Sequence, residues 1–106
     1  MGGEPLERVN QQGLLPLARK IKEIYPDKTI WCFTGYEFEK DVMAHMYKNW
    51  EETRELLSYI DVLVDGPFIE ALKNPSLVFR GSENQRLIKI PETLESGKIV
   101  LWEKQL

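Results

Sequence analysis

The sequence contains a single cysteine, Cys32, and a single histidine, His45. One thiol cannot form an internal disulfide, and it cannot build a structural zinc or iron–sulfur site without other strong ligands. No His or Lys is adjacent to Cys32 to lower its pKa, which favours a buried, inert thiol over a nucleophile. His45 has no neighbouring Asp or Ser in a recognisable arrangement, and we interpret it as a surface residue. The lone cysteine also favours a reducing compartment.

The chain also lacks a surplus of basic residues and any long apolar run. Its net charge is −3, and no cluster of Lys and Arg predicts binding to nucleic acid or to an anionic membrane. No stretch approaches the roughly 20 apolar residues of a membrane span, and the N-terminus has no signal-peptide pattern. No triad, Walker loop or GxGxxG motif is present. With 106 residues, of which 42% are hydrophobic, we expect one globular domain over residues 1–106, in the cytoplasm.

Periodicity predicts alternating helices and strands in the first two-thirds of the chain. Apolar residues recur at helical spacing from Leu14 to Ile24, before a stop at Tyr25-Pro26. The β-branched and aromatic run Thr29–Thr34 predicts a strand that is apolar on both faces. A helix is expected from about Trp50 to Tyr59 and a second buried strand at Asp61–Asp65, whereas the segment Asp41–Thr53 has weak periodicity before that helix.

The last third predicts three short strands, at Leu77–Arg80, Arg86–Ile90 and Ile99–Trp102. Early alternation of strand and helix favours right-handed βαβ units on a mainly parallel α/β sheet, with a hairpin-like C-terminal end. In such sheets the ligand site lies beyond the carboxyl ends of the strands. The segments Thr34–Tyr36 and Asp65–Pro67 are therefore expected at one mouth, together with the loop Arg80–Arg86.

Three groups of residues could carry chemistry, and each has a structural alternative. Gly2-Gly3-Glu4-Pro5 could present open backbone groups to a small polar ligand, or it could be a flexible terminus. In the loop Arg80–Arg86, the arginines could bind a carboxylate and the amides an adenine or ribose edge, or the loop could be a solvated turn held by side-chain to backbone bonds. Asp65 could face a ligand, although capping of the next turn is the favoured interpretation.

Read together, four motifs resemble one family. They are GGEPL (residues 2–6) before a helix, FTGY (33–36) at a strand end, IDVLVDGPF (60–68), and FRGSENQR (79–86). Their order and approximate spacing are similar to those of the anaerobic ribonucleoside-triphosphate reductase activating proteins, which are radical S-adenosylmethionine (SAM) enzymes. GGEP is shared widely among radical SAM enzymes, whereas the other motifs are more particular to these activases.

The resemblance implies a partial (β/α) barrel of the radical SAM type, with SAM and a [4Fe–4S] cluster at the carboxyl ends of its strands. It implies cleavage of SAM to methionine and a 5′-deoxyadenosyl radical, which removes a hydrogen from a glycine of the partner reductase. Gly2, Gly3 and Glu4 would contact the amino group of the methionine moiety. The residues expected around SAM or the docking face are Thr34, Tyr36, Asp65, Arg80, Ser82, Asn84, Gln85 and Arg86.

The family carries a CxxxCxxC cluster loop upstream of GGEP, and the sequence lacks these cysteines. The resemblance therefore implies a truncated radical SAM core that is inactive by itself, with an exposed sheet edge and apolar face that favour self-association. The main alternative is a non-catalytic protein-binding module or regulatory remnant of the same fold. A small α/β nucleotide-binding protein is a third possibility, which the absence of a phosphate-binding loop disfavours.

Overall fold

The computed structural model describes residues 4–77 and 80–102. A long first helix precedes the first strand, and a π-helix and two further helices then lead to the second strand. A 3₁₀ turn and a loop lie between the second strand and the third, which the last helix follows directly. The bounds are α1 Arg8–Ile24, β1 Trp31–Phe33, a π-helix Phe38–Met46, α2 Tyr47–Asn49, α3 Glu51–Tyr59, β2 Val62–Asp65, the 3₁₀ turn Glu70–Leu72, β3 Arg86–Lys89 and α4 Ile90–Ser96.

The three strands form a mixed sheet in the order β1-β2-β3. Strands β1 and β2 are parallel, with Cys32 opposite Leu63, and β2 and β3 are antiparallel, with Asp65 opposite Arg86. The α/β class is confirmed, but the sheet is not mainly parallel as predicted. Within the described residues it does not close into a barrel, so the relation to a radical SAM barrel stays a prediction.

The core lies between the sheet and the helix pair α1 and α3. Leu63 of β2 and Ile88 of β3 are fully buried, and they belong to the same apolar cluster as Leu57 of α3 and Leu15 of α1. All four residues of β2 are buried, as the sequence predicts for a central strand. Strand β1 lies at the sheet edge, and its Phe33 is 52% exposed, so the prediction of burial on both faces is wrong there.

The first helix starts six residues earlier than its apolar pattern indicates. Its N-terminal turns are fixed by a polar residue, because Gln11 is fully buried and its Nε2 donates to the Leu6 carbonyl oxygen at 2.8 Å. The Gln11 Oε1 accepts from the Thr53 hydroxyl at 2.7 Å. A glutamine is not counted as apolar when helical spacing is read from a sequence, so the N-terminal turns of α1 were not predicted.

The first part of the segment with weak periodicity lies in the π-helix, which continues into the short helix α2. The buried residues of the π-helix are Phe38, Val42 and Met46, at intervals of four. This interval is close to the wider turn of a π-helix, whose hydrogen bonds run from i to i+5. Helix α3 begins at Glu51, within one residue of the predicted start, and ends at Tyr59 as predicted.

The C-terminal third differs most from expectation. Ile90 does not end a strand but begins α4. This helix has Pro91 in its first turn, and Gly97, with φ of +74°, caps its C-terminal end. The predicted strand Leu77–Arg80 includes two residues outside the described ones. The predicted last strand Ile99–Trp102 is reduced to a bridge between Leu101 and Ile88.

Strand β3 pairs antiparallel with β2, from which a long loop separates it. Of the predicted hairpin-like C-terminal end, the structure thus has strand β3 with β2 as its antiparallel partner, and a hairpin with the segment 77–80 stays a prediction. No helix within residues 4–77 and 80–102 is long and apolar enough to span a membrane.

Candidate functional site

The carboxyl ends of β1 and β2 meet, as parallel pairing requires. The Thr34 backbone N–H donates to the Val64 carbonyl oxygen at 2.9 Å, and the Gly66 N–H donates to the Tyr36 carbonyl oxygen at 2.8 Å. The backbone of Gly66 has φ of +95°, a conformation that residues with a side chain rarely adopt. These bonds place the two predicted mouth segments, 34–36 and 65–67, side by side.

The Glu4 carboxylate lies at the end of β1 and receives three hydrogen bonds. Its Oε2 accepts from the Leu6 backbone N–H at 2.8 Å and from the Thr34 hydroxyl at 2.7 Å. Its Oε1 accepts from the Gly35 N–H at 2.6 Å. Glu4 is half-buried, and these bonds hold its carboxylate at the strand end.

A second hydrogen bond joins the chain before α1 to the turn after β1. The Tyr36 hydroxyl donates to Glu7 Oε1 at 2.8 Å. This hydrogen bond to a carboxylate, with smaller contributions from burial and nearby acidic groups, raises the pKa of Tyr36 above its ordinary value. Glu4 and Glu7 therefore fasten the chain before α1 to the turn after β1. Sequence reasoning missed Glu7 because no motif marks it.

Asp65 is buried at the end of β2 and is fully engaged within the protein. Its Oδ2 accepts from the Phe38 backbone N–H at 2.8 Å, at the start of the π-helix. Arg86 reaches both oxygens, with Nε to Oδ1 at 3.0 Å and Nη2 to Oδ2 at 2.5 Å. Asp65 thus caps a helix, although a distant one rather than the following turn.

Arg86 also binds Glu39, a residue that sequence reasoning did not single out. Its Nη1 and Nη2 donate to the two Glu39 carboxylate oxygens at 3.0 and 2.5 Å. These bonds hold the pKa of Glu39 below its usual range and raise that of Arg86. The guanidinium therefore joins β3, the end of β2 and the first turn of the π-helix.

The loop from Arg80 to Arg86 is fastened by its own polar groups. The Gln85 Oε1 accepts from the Gly81 N–H at 2.9 Å, and its Nε2 donates to the Gly66 carbonyl oxygen at 3.0 Å. Arg80 Nη1 donates to the Gln85 carbonyl oxygen at 2.6 Å. The Ser82 hydroxyl donates to Asn84 Oδ1 at 2.6 Å, and Asn84 Nδ2 donates to the Pro67 carbonyl oxygen at 2.8 Å. This arrangement has the geometry of the turn alternative and draws the loop onto the end of β2.

A cavity of about 520 Å³ lies beyond the end of β2. Of the predicted site residues, Asp65, Asn84 and Arg86 line it. Glu4, Thr34 and Tyr36 lie at the end of the neighbouring strand β1, and the side chains of Arg80, Ser82 and Gln85 are hydrogen-bonded within the loop or to Gly66. Gly2 and Gly3 lie outside the described residues. A separate apolar groove of about 400 Å³ runs between α1 and β1.

The donors for an iron–sulfur cluster are not in this sequence. Its only cysteine, Cys32, is half-buried, and burial, with a smaller contribution from the Glu4 charge, raises the pKa of the thiol to about 12. In residues 4–77 and 80–102, no group of three or more His, Cys, Asp or Glu side chains could hold a metal ion. A cluster that needs three thiolates does not fit these residues.

Comparison with known proteins gives a consistent result. The family model described as "4Fe-4S single cluster domain" matches residues 1–88. The protein of Haemophilus influenzae named anaerobic ribonucleoside-triphosphate reductase-activating protein is 44% identical over 84 residues, which are 79% of this chain and 49% of that protein.

Proteins with the same name in Pasteurella multocida and in Enterobacteria phage T4 are 39% and 38% identical over 94 and 86 residues. The aligned residues make up 86% of this chain and 54% of the Pasteurella protein, and 81% of this chain and 48% of the phage protein. The chain therefore spans about half the length of the curated relatives it matches. No solved structure matches it.

Proposed function

Because this chain belongs to the family of 4Fe-4S single cluster domains, we propose that it forms the SAM-binding part of an activating enzyme. The enzyme's partner is an anaerobic ribonucleoside-triphosphate reductase, the protein that the names of its relatives specify. The proposed activity of the full assembly is removal of a hydrogen atom from a glycine of the reductase by a radical derived from SAM, in the cytoplasm.

The observation that carries the proposal is the Glu4 carboxylate at the carboxyl end of β1. Its three hydrogen bonds come from Leu6, Thr34 and Gly35, whereas an ionised carboxylate can accept about four. An acceptor position therefore remains for the ammonium group of a ligand such as SAM. Gly35 is exposed, and without a side chain it leaves the approach to Glu4 open.

The other predicted site residues are proposed to support this pocket rather than to react. Arg86 pairs with both Asp65 and Glu39, and these ion pairs hold the start of the π-helix beside the cavity. The loop Arg80–Arg86 closes over the end of β2 through Gln85 and Asn84. Polar edges of this loop would face the adenosine part of SAM or the docked reductase, and Gly2 and Gly3 would complete the ammonium site.

Binding of SAM to the purified chain, without iron, tests the proposal. Calorimetric titration should show saturable binding that Glu4→Ala abolishes, because the variant loses the charge that meets the ammonium group. Glu23→Ala, which removes an exposed carboxylate from α1, serves as the matched control and should bind SAM like the unmodified chain. Absence of binding to the unmodified chain would contradict the proposal.

The cysteine count favours a second candidate, a non-catalytic binding module of the same fold. A chain with one cysteine cannot by itself hold the cluster, and we propose that the 106 residues alone do not activate the reductase. Reconstitution with iron and sulfide should leave the protein free of cluster by metal analysis. If the chain binds the reductase but not SAM, the binding module is the better description.

A further inference from the structure

We propose that Thr34 is a positioning residue that orients the Glu4 carboxylate toward the ammonium group of SAM. This inference rests on the function proposed above and assigns a role to a hydroxyl that need not touch the ligand. It follows from the hydrogen bonds that surround Glu4 and from the rigidity of Thr34.

The three donors to Glu4 leave the carboxylate open on one oxygen only. Oε2 accepts two hydrogen bonds, from Leu6 and from Thr34, whereas Oε1 accepts one, from Gly35. Each carboxylate oxygen has about two acceptor positions. The remaining position is therefore on Oε1, the oxygen beside exposed Gly35.

The direction of the Thr34 hydroxyl is fixed by its neighbours. It accepts a hydrogen bond from the Tyr36 backbone N–H at 3.2 Å, so its own proton is available to donate to Glu4. Thr34 is only 4% exposed, and its backbone is bonded to Val64 of the central strand. A β-branched side chain in such a position has little rotamer freedom.

Thr34 is also the only one of the three donors that belongs to a side chain. The Leu6 N–H belongs to the same short segment as Glu4 and moves with it. The Gly35 N–H is backbone, and a Cβ at Gly35 would lie 3.4 Å from Glu4 Oε1. Besides the Gly35 N–H, which holds Oε1, Glu4 is tied to the end of β1 by the Thr34 side chain. Without the Thr34 hydroxyl, Oε2 is held only by the Leu6 N–H of its own segment, so the orientation of the carboxylate is less fixed.

Two ligands separate positioning of Glu4 from general damage to the pocket. SAM carries the ammonium group, and 5′-methylthioadenosine has the same nucleoside without the amino-acid part. Titration of both into the unmodified chain and Thr34→Val should show a roughly tenfold loss of affinity for SAM, the scale of one charge-assisted hydrogen bond, with little change for methylthioadenosine. Thr34→Ser, which keeps the hydroxyl, should restore the affinity for SAM.

Thr93→Val is the matched control, because Thr93 of α4 is also 4% exposed and its hydroxyl accepts a hydrogen bond from the Val100 backbone N–H at 2.9 Å, with no contact to Glu4 or its donors. It should leave the ratio of the two affinities unchanged. In a Glu4→Gln background, Thr34→Val should cause no further loss of SAM affinity. An equal loss for both ligands, or no loss, in Thr34→Val would overturn the inference while leaving the proposed function standing. If the unmodified chain does not bind SAM, both fail.

Discussion

Replacement of Arg86 by methionine should destabilise the fold more than any other single loss of charge among the ion pairs described. Arg86 is the cation beside Asp65, whose side chain is 2% exposed. Arg86→Met keeps an unbranched, flexible side chain but leaves this carboxylate with one remaining hydrogen bond, from the Phe38 N–H. Removing one partner of a buried ion pair costs about 3–5 kcal/mol.

The Arg86 side chain is itself 33% exposed, and water can replace part of the lost interaction. We therefore expect a cost somewhat below that range, about 2–3 kcal/mol. With a urea dependence of about 2 kcal/mol per molar for a chain of this size, the unfolding midpoint should fall by about 1–1.5 M. Urea titration followed by circular dichroism measures this shift.

Two further variants separate the buried pair from ordinary surface charge. Arg19→Met removes an exposed guanidinium that pairs with Glu55, and its midpoint should stay close to that of the unmodified chain. Asp65→Asn combined with Arg86→Met should be less destabilised than the sum of the single changes, because no buried charge then remains unpaired. Equal midpoints for Arg86→Met and Arg19→Met would refute this reasoning.

The remaining predictions concern glycine, cysteine and tyrosine. Gly97→Ala should lower the free energy of unfolding by about 1 kcal/mol, because Gly97 has a positive φ. Gly13→Ala within α1 should raise it by about 0.5–1 kcal/mol in the same urea titration. Changes of the same sign in both variants would contradict the backbone conformations described. With its pKa raised from 9.0 to about 12, the Cys32 thiol should be alkylated at pH 8 at least a hundredfold more slowly than in urea, and equal rates would exclude the burial described. Because the pKa of Tyr36 in the folded protein lies above its unfolded value of 10.0, the free energy of unfolding should fall as pH rises above 10. In Tyr36→Phe it should fall less steeply with pH. Parallel pH curves for the two proteins would contradict the bond to Glu7.

The elements with a regular apolar pattern could be predicted from sequence. Strand β2 and helix α3 have the expected positions because β-branched runs and amphipathic spacing report burial directly. The π-helix was not predicted, since its buried residues recur every four positions and fit neither template well. Helix α4 was also missed, although Pro91 in its first turn and Gly97 at its end are recognised helix-boundary signals.

The candidate site could also be predicted from sequence only in part. Placement of Thr34 and Asp65 at adjacent strand ends follows from parallel pairing, which the sequence indicates. The partners of these residues could not be predicted, because Asp65 and Arg86 are 21 residues apart and Glu4 and Thr34 are 30 apart. Such pairs depend on how the chain returns across the sheet, and local periodicity carries no information about that.

The most direct test of the account is to map SAM binding onto the backbone by nuclear magnetic resonance of the labelled chain. The account predicts that SAM shifts the amide signals of Leu6, Gly35 and Tyr36, because the first two donate to the carboxylate that meets the ammonium group. Signals at the opposite end of β1, near Lys28, should not move. Shifts confined to that opposite end, or no shifts at saturating SAM, would contradict the assignment of Glu4 as the ammonium site.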